Sequence, residues 1–257
     1  MKAIILAAGE GKRLKAHGAH RPKCLVELGG KSLLAYQVAA LHAAGIGQIT
    51  LVTGYQSSQI EQLGFPTIPN PRYAQTNMVA SLMCAQELLD GREDLLIAYG
   101  DILYEPQVVQ ALCACTAPLS TTIDTRWKRL WEIRMDNPLS DAETLKLDSA
   151  GNIRELGNVP ASYEEIQGQY MGLIKVRADT APRLVAHFRG LNPARPYRGR
   201  LPLQMDMTSF LQSWIEQGGT LQAVPVTGGW LEVDTDRDLE LYRRLFQEGR
   251  LNEYCQL

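Results

Sequence analysis

Apolar positions along this chain follow two periods, and the switch between them marks out the elements. Residues 3–8, Ala-Ile-Ile-Leu-Ala-Ala, form an unbroken apolar run that ends in a glycine-rich stretch, as expected of a strand buried on both faces of a parallel sheet. From Ser32 to Ala44 the period changes: Leu33, Leu34, Val38 and Leu41 recur at helical spacing, and Gly45 supplies the stop before a strand over residues 49–54. The alternation continues with helices over 57–63 and 78–89 and a buried strand, Leu-Leu-Ile-Ala-Tyr-Gly, that ends at Asp101. This order predicts an α/β fold with a Rossmann-like, doubly wound mixed sheet. Between about 120 and 176 the texture shifts to alternating strands around the turn signal Ser149-Ala150-Gly151-Asn152, and the Pro/Arg-rich stretch 192–202 reads as a mobile linker. From Met205 the pattern returns to a helix, the Gly218-Gly219 turn, a strand over 220–226, a short strand over 229–234 and a closing helix from Thr235. The expectation is one domain, 1–257, with a core from 1–119 and 205–257 and an inserted subdomain over about 120–204.

Composition narrows the partners. Among 257 residues, Lys and Arg total 26 against 28 Asp and Glu, so there is no strong field to draw nucleic acid or an anionic membrane. No apolar run reaches membrane-spanning length, and the expected location is cytoplasmic. The 5 cysteines lack C-x-x-C spacing and read as reduced thiols, while the 4 histidines are scattered, which argues against a His/Cys metal centre and a Ser/His/Asp triad. Small molecules are left as the expected partners, with a homodimer left open.

Candidate chemistry concentrates in the opening run Leu6-Ala7-Ala8-Gly9-Glu10-Gly11-Lys12-Arg13-Leu14 and in Arg21-Pro22-Lys23-Cys24-Leu25. Gly9 and Gly11 let backbone N–H groups approach phosphate oxygens, and Arg13 and Lys23 add forked and point-like positive charge. Two glycines after a buried strand also make an ordinary tight turn, but the two cations weigh toward a triphosphate. Leu14 stands where a dinucleotide fingerprint requires its third glycine, and the G-K-[ST] of a P-loop is missing. Asp101, at the end of a buried strand after Gly100, sits where open α/β sheets place ligand-facing residues, and it is a candidate Mg²⁺ ligand.

These runs, with Gly30-Lys31-Ser32-Leu33-Leu34, closely resemble the nucleotidyltransferases of the sugar-phosphate and phosphocholine cytidylyltransferase type. The resemblance implies that Asp234, in Gly229-Trp230-Leu231-Glu232-Val233-Asp234, is the second metal carboxylate; Thr235 with Asp238 makes a better helix cap and leaves Asp234 available. It also implies that Asn70-Pro71-Arg72-Tyr73 and Thr76-Asn77-Met78-Val79-Ala80-Ser81 lie beside the nucleotide base, with Thr76, Asn77 and Ser81 as contacts; Asn77 reads equally well as a helix cap, and the two roles can coexist. The segments Asp124 to Arg134, Pro138 to Glu143 and Gly168 to Leu173 resemble the acceptor half of such enzymes. There Trp127, Trp131 and Tyr170 are candidate contacts to a cationic head and Lys128, Arg129 or Arg134 to an anionic end, and Trp230 and Glu232 of the 229–234 strand are further candidate acceptor contacts. Tryptophans four apart on a helix are also an ordinary packing stripe. Residues His17 to His20 replace the serine- or threonine-rich stretch of the family pattern.

The implied reaction is Mg²⁺-dependent transfer of CMP from CTP to a small phosphate or phosphonate acceptor with release of pyrophosphate. An acceptor oxygen that is already anionic attacks the α-phosphorus, so no general base is required. Lys23 would act at the α-phosphate and Arg13 at the β- and γ-phosphates. The alternatives are a sugar-1-phosphate nucleotidylyltransferase, a nucleotide-sugar glycosyltransferase suggested by the D-x-D of Asp234-Thr235-Asp236, and a non-catalytic nucleotide-binding module.

Overall fold

The computed structural model describes residues 1–14 and 20–257; of the stretch His17 to His20, all but His20 lies outside the described residues. The chain runs β1 (Lys2–Ala7), β2 (Glu27–Leu28), β3 (Lys31–Ser32), α1 (Leu33–Ala43), β4 (Ile49–Thr53), α2 (Ser57–Glu61), β5 (Thr67–Pro69), α3 (Met78–Cys84), β6 (Leu95–Tyr99), β7 (Ile102–Tyr104) and α4 (Pro106–Ala114). It continues with β8 (Leu119–Asp124), α5 (Trp127–Arg134), β9 (Leu145–Leu147), β10 (Ile153–Leu156), β11 (Gln169–Val176), α6 (Ala181–Gly190), α7 (Met207–Glu216), β12 (Gln222–Val226), β13 (Trp230–Glu232) and α8 (Asp236–Gln247).

Seven strands form the main sheet in the order β12-β8-β11-β6-β1-β4-β5. β6, β1, β4 and β5 are parallel, β12 is parallel to β8, and β11 runs antiparallel to β6 and β8, so the sheet is mixed. Central β1 shows why its run is apolar throughout: Ala3, Ile5 and Ala7 enter the core on one face of the sheet and Ile4 and Leu6 the core on the other. α1 starts where Ser32 caps it, its hydroxyl accepting from Ala35 N at 3.1 Å.

Two expectations change, and one helix is new. The helix expected over 78–89 ends at Cys84 and gives way to a 3-10 turn over Gln86–Leu88. Helix α4, which opens with Pro106 at its first position, was not anticipated, although proline there is a usual start signal. The segment 120–204 contributes strands to the main sheet. All of β8 is buried, and it and β11 are interior strands, because each supplies hydrogen-bonded neighbours on both edges; the hairpin β9/β10 forms a separate two-stranded sheet. The stretch 192–202 is tied down: Arg198 Nη1 donates to Leu156 O, Tyr197 and Arg200 form an isolated bridge, and Arg200 pairs with Asp206 at 3.3 Å.

Candidate active site

Two carboxylates far apart in sequence are brought together by strand register. β6 ends at Tyr99, and Gly100 N donates to Leu6 O at 3.0 Å; a Cβ on Gly100 would stand 2.8 Å from that same oxygen, so only glycine lets the two strand ends approach this closely. Asp101 follows. β7 then pairs antiparallel with β13, Ile102 opposite Glu232, and Val233 N donates to Asp101 O at 2.9 Å, which sets Asp234 beside Asp101. α8 is capped by the reciprocal pair Thr235 and Asp238, so the Asp234 carboxylate is not spent on the helix end.

Lys23 stands in the 3-10 turn Lys23–Leu25, and its Nζ lies 2.7 Å from Asp101 Oδ2 and 2.8 Å from Asp234 Oδ1. Arg13 Nη1 reaches Asp234 Oδ2 at 2.5 Å. Burial alone would favour the neutral amine of Lys23, but the two carboxylates outweigh it and hold the ammonium above the ordinary lysine value. Asp101 Oδ1 is buried and accepts no hydrogen bond from the described residues. An unpartnered anionic oxygen next to a second carboxylate suits a hard cation such as Mg²⁺. Among the described residues no group of three or more His, Cys, Asp and Glu could hold a metal, so an ion held by this pair would need its other ligands from elsewhere.

A cleft opens on one side of this cluster. Leu6, Ala7, Ala8, Gly9, Thr76, Asn77, Ser81 and Gly100 line it, with Lys23 and Asp101 among them. Glu10 and Gly11 do not: Glu10 pairs with Lys12 at 2.9 Å, and Gly11, at φ +63°, makes the turn over Lys23. Asn77 does cap α3, its Oδ1 accepting from Met78 N at 2.8 Å, while its backbone N donates to Leu203 O at 3.0 Å. Asn70, whose segment was expected beside the base but which was given no contact of its own, is buried, and its amide donates to Thr76 Oγ1 at 3.0 Å and Ser81 Oγ at 2.9 Å, fixing two cleft residues at once. Tyr73 and Met78, from the same base-side segments, also line the cleft, as does Cys24, which was not expected there; burial pushes the Cys24 thiol up to about 12, so it is no nucleophile at neutral pH.

A second cavity lies on the other side, reached by Asp234 and Arg13 and walled by Trp131, Tyr170, Trp230 and Glu232. Arg13 thus faces this cavity, not the first. Trp131 and Trp230 stack with ring centroids 5.9 Å apart. Three of the expected acceptor residues are elsewhere. Trp127 is buried and packs edge-on against Trp131 at 5.8 Å without reaching the cavity. Arg129 turns away to Glu253 Oε2 at 3.1 Å and lies over Tyr254. Arg134 is 0% exposed and is held by Asp238 and Glu232. In their place the far wall carries Asp141, Glu143 and Asp206, with Gln169 and Thr208. Burial, then the charge of Asp206, pushes the Glu143 carboxyl up to about 7, against the hydrogen bond from Thr208. Burial also raises the Glu232 carboxyl; the Arg134 charge opposes it, and Asp101 and Asp234 add to it. Asp141 and Glu143 lie in a segment whose pattern pointed to an acceptor site, but nothing local singled out Asp206.

Residues 3–133 match the model of the MobA-like NTP transferase domain. The chain is 38% identical over 250 residues to the CTP:phosphoglutamine cytidylyltransferase of Campylobacter jejuni, spanning 94% of this chain and 98% of that protein. It is 31% identical over 122 residues to the CMP-5'-(3-aminopropyl)phosphonate synthase of Streptomyces rubellomurinus, covering 44% of this chain and 19% of that protein. In fold it resembles the CTP:phosphocholine cytidylyltransferase of Streptococcus pneumoniae, with a TM-score of 0.70 at 19% identity over 95% of this chain and 98% of the other.

Proposed function

Because this chain belongs to the MobA-like NTP transferases and is a nucleotidyltransferase, we propose that it transfers CMP from CTP to a small, nitrogen-bearing phosphate or phosphonate acceptor, with Mg²⁺, releasing pyrophosphate. The observation that carries this reading is the meeting of two cavities at one cluster: Lys23 and Asp101 line the first, Arg13 and Asp234 the second, and Met78 lines both. A nucleotide in the first and an acceptor in the second would present their phosphorus groups to each other across Lys23.

The acceptor oxygen, anionic near neutral pH, forms a bond to the α-phosphorus as the bond from that phosphorus to pyrophosphate breaks. No proton need move, so the step requires no general base. When bound, Mg²⁺ would neutralise phosphate charge and orient the leaving group. The chain's own part is to hold and screen. Asp101 and Asp234 would hold the ion, and the Lys23 ammonium, now shared by both carboxylates, would offset charge gathering at the α-phosphorus. Arg13, 68% exposed, can swing from Asp234 to the terminal phosphates. Backbone at Ala8 and Gly9 would cradle phosphate, and the Asn70-anchored Thr76 and Ser81 would face the base.

The acidic wall of Asp141, Glu143 and Asp206 favours an acceptor whose distal end is an amine or ammonium over a sugar phosphate. Phosphoglutamine, 3-aminopropylphosphonate and phosphocholine, the acceptors that name the relatives, share an anionic phosphorus group and a nitrogen-bearing head. For a D-x-D glycosyltransferase Asp236 should face the donor, but it lines neither cavity. The test is a pyrophosphate-release screen of CTP, UTP, ATP and GTP against these acceptors and glucose 1-phosphate, with and without EDTA. We expect release with CTP and a nitrogen-bearing acceptor, abolished by EDTA. Release that is indifferent to EDTA would remove the metal, and a preference for glucose 1-phosphate would remove the acceptor class.

A further inference from the structure

Arg134 lines neither cavity, yet it is buried completely and holds the two carboxylates that flank Asp234 in sequence. Its Nε donates to Asp238 Oδ1 at 2.9 Å, and its Nη2 donates to Glu232 Oε2 at 3.2 Å and to Asp238 Oδ2 at 3.4 Å. Asp238 Oδ2 in turn accepts from the backbone N of Asp234 at 3.0 Å and of Thr235 at 2.9 Å. The guanidinium therefore fixes the carboxylate that fixes the Asp234 backbone. On its other side it lies over the Trp131 ring, with Cζ 5.0 Å from the centroid, and Trp131 stacks on Trp230, whose strand carries Glu232.

A buried ion pair is a poor source of net stability, because desolvation consumes much of the Coulomb gain, so this network calls for another role. A planar fork gripping two carboxylates specifies geometry that a single charge cannot. We propose that Arg134 is a positioning residue that works through Asp238 to hold Asp234 in register with Asp101, setting the affinity of that pair for a divalent cation. The inference rests on the metal reading of Asp101 and Asp234 given above. A residue that only caps α8 would leave cation affinity untouched.

Arg134→Lys and Asp238→Glu test it, since each keeps the charge and alters only the geometry, and glutamate at this helix position is itself a usual capping partner. Thr235→Ala is the control: it weakens the same helix start, whose threonine hydroxyl also bonds Asp238, but leaves the guanidinium in place. Free Mn²⁺ is followed by electron paramagnetic resonance as the full chain is titrated in the presence of CTP, and thermal unfolding is recorded for each variant. The expected result is a roughly 10-fold or greater loss of Mn²⁺ affinity in both charge-preserving variants while the protein remains folded at the assay temperature, as for other partners that orient a metal ligand. Thr235→Ala should lower the unfolding temperature and keep the affinity of the unsubstituted protein. Unchanged affinity in Arg134→Lys and Asp238→Glu overturns the proposal, as does an equal loss in Thr235→Ala. If the unsubstituted protein takes up no Mn²⁺, the metal reading falls and takes this inference with it.

Discussion

The two cavities that meet at Asp101 and Asp234 are built in different ways. The first is made mostly of backbone and small side chains from the ends of β1 and β6 and the start of α3, and its few side-chain contacts are locked by buried Asn70. The second draws its walls from α5, β11, β13 and the approach to α7, and it is lined by aromatic rings and carboxylates. Backbone amides recognise what all nucleotides share, their phosphates, and such a site follows from chain geometry. Side chains from distant segments recognise what differs between acceptors, so that wall can change while the phosphate cradle stays.

If the cavities serve one reaction, the largest effect should come from the residues between them. Asp101→Asn and Asp234→Asn should each lower kcat/KM at least ~100-fold with either substrate varied, since each removes charge stabilisation of several kcal/mol. Near-normal turnover in one variant would detach that carboxylate from the shared centre. Next comes Lys23→Ala, expected to reduce kcat by roughly 100-fold with a smaller change in KM for CTP, because its charge matters most as the α-phosphorus becomes crowded. Steady-state kinetics that show only a KM change would place Lys23 in ground-state binding.

Within the second cavity the comparison can be sharpened further. Trp127→Leu should cost about 2 kcal/mol of stability in denaturant unfolding, since the ring is core, and should leave the preference among acceptor heads unaltered. A selective loss for cationic heads would return Trp127 to the pocket. Glu143→Gln should cut kcat/KM for an amine-bearing acceptor about 10-fold, near 1.4 kcal/mol, and change a neutral-headed acceptor less. The same variant has a signature in stability. The Glu143 carboxyl is raised from 4.5 to about 7 in the folded chain, so the stability tied to its protonated form is present below about 4.5 and lost as pH rises through about 7. Unfolding temperature measured against pH should therefore show the glutamine variant gaining on the parent between those values and holding its advantage above them. Smallest is Arg129→Ala: its exposed pair with Glu253 should be worth under about 1 kcal/mol, with turnover unchanged.

The cleft side was legible because its signals are local. An apolar run ending in glycines, an asparagine before a helix and a Thr/Asp capping box each act within a few residues, so Asn77 and Thr235 read correctly as caps from sequence. The acceptor side was only partly legible. Trp131, Tyr170, Trp230 and Glu232 line the cavity, while Trp127, Arg129 and Arg134, drawn from the same helix as Trp131, face packing, solvent and a buried network. A pattern of residue types on one helix does not say which turn faces an opening, because that depends on what packs against it.

The sequence by itself determined the α/β alternation, the glycine-rich loop and the residue types suited to phosphate and a hard cation, since these follow from backbone stereochemistry and side-chain chemistry over short spans. Only the tertiary structure decided which charges meet. Lys23 joins Asp234 across 211 positions and Arg134 joins Asp238 across 104, distances at which nothing but the β7/β13 register and the packing of α5 on α8 selects the partner. A charged side chain buried in a fold must find its counter-charge wherever the chain has brought one, and that requirement turned Arg134 from an expected acceptor ligand into the brace behind Asp234.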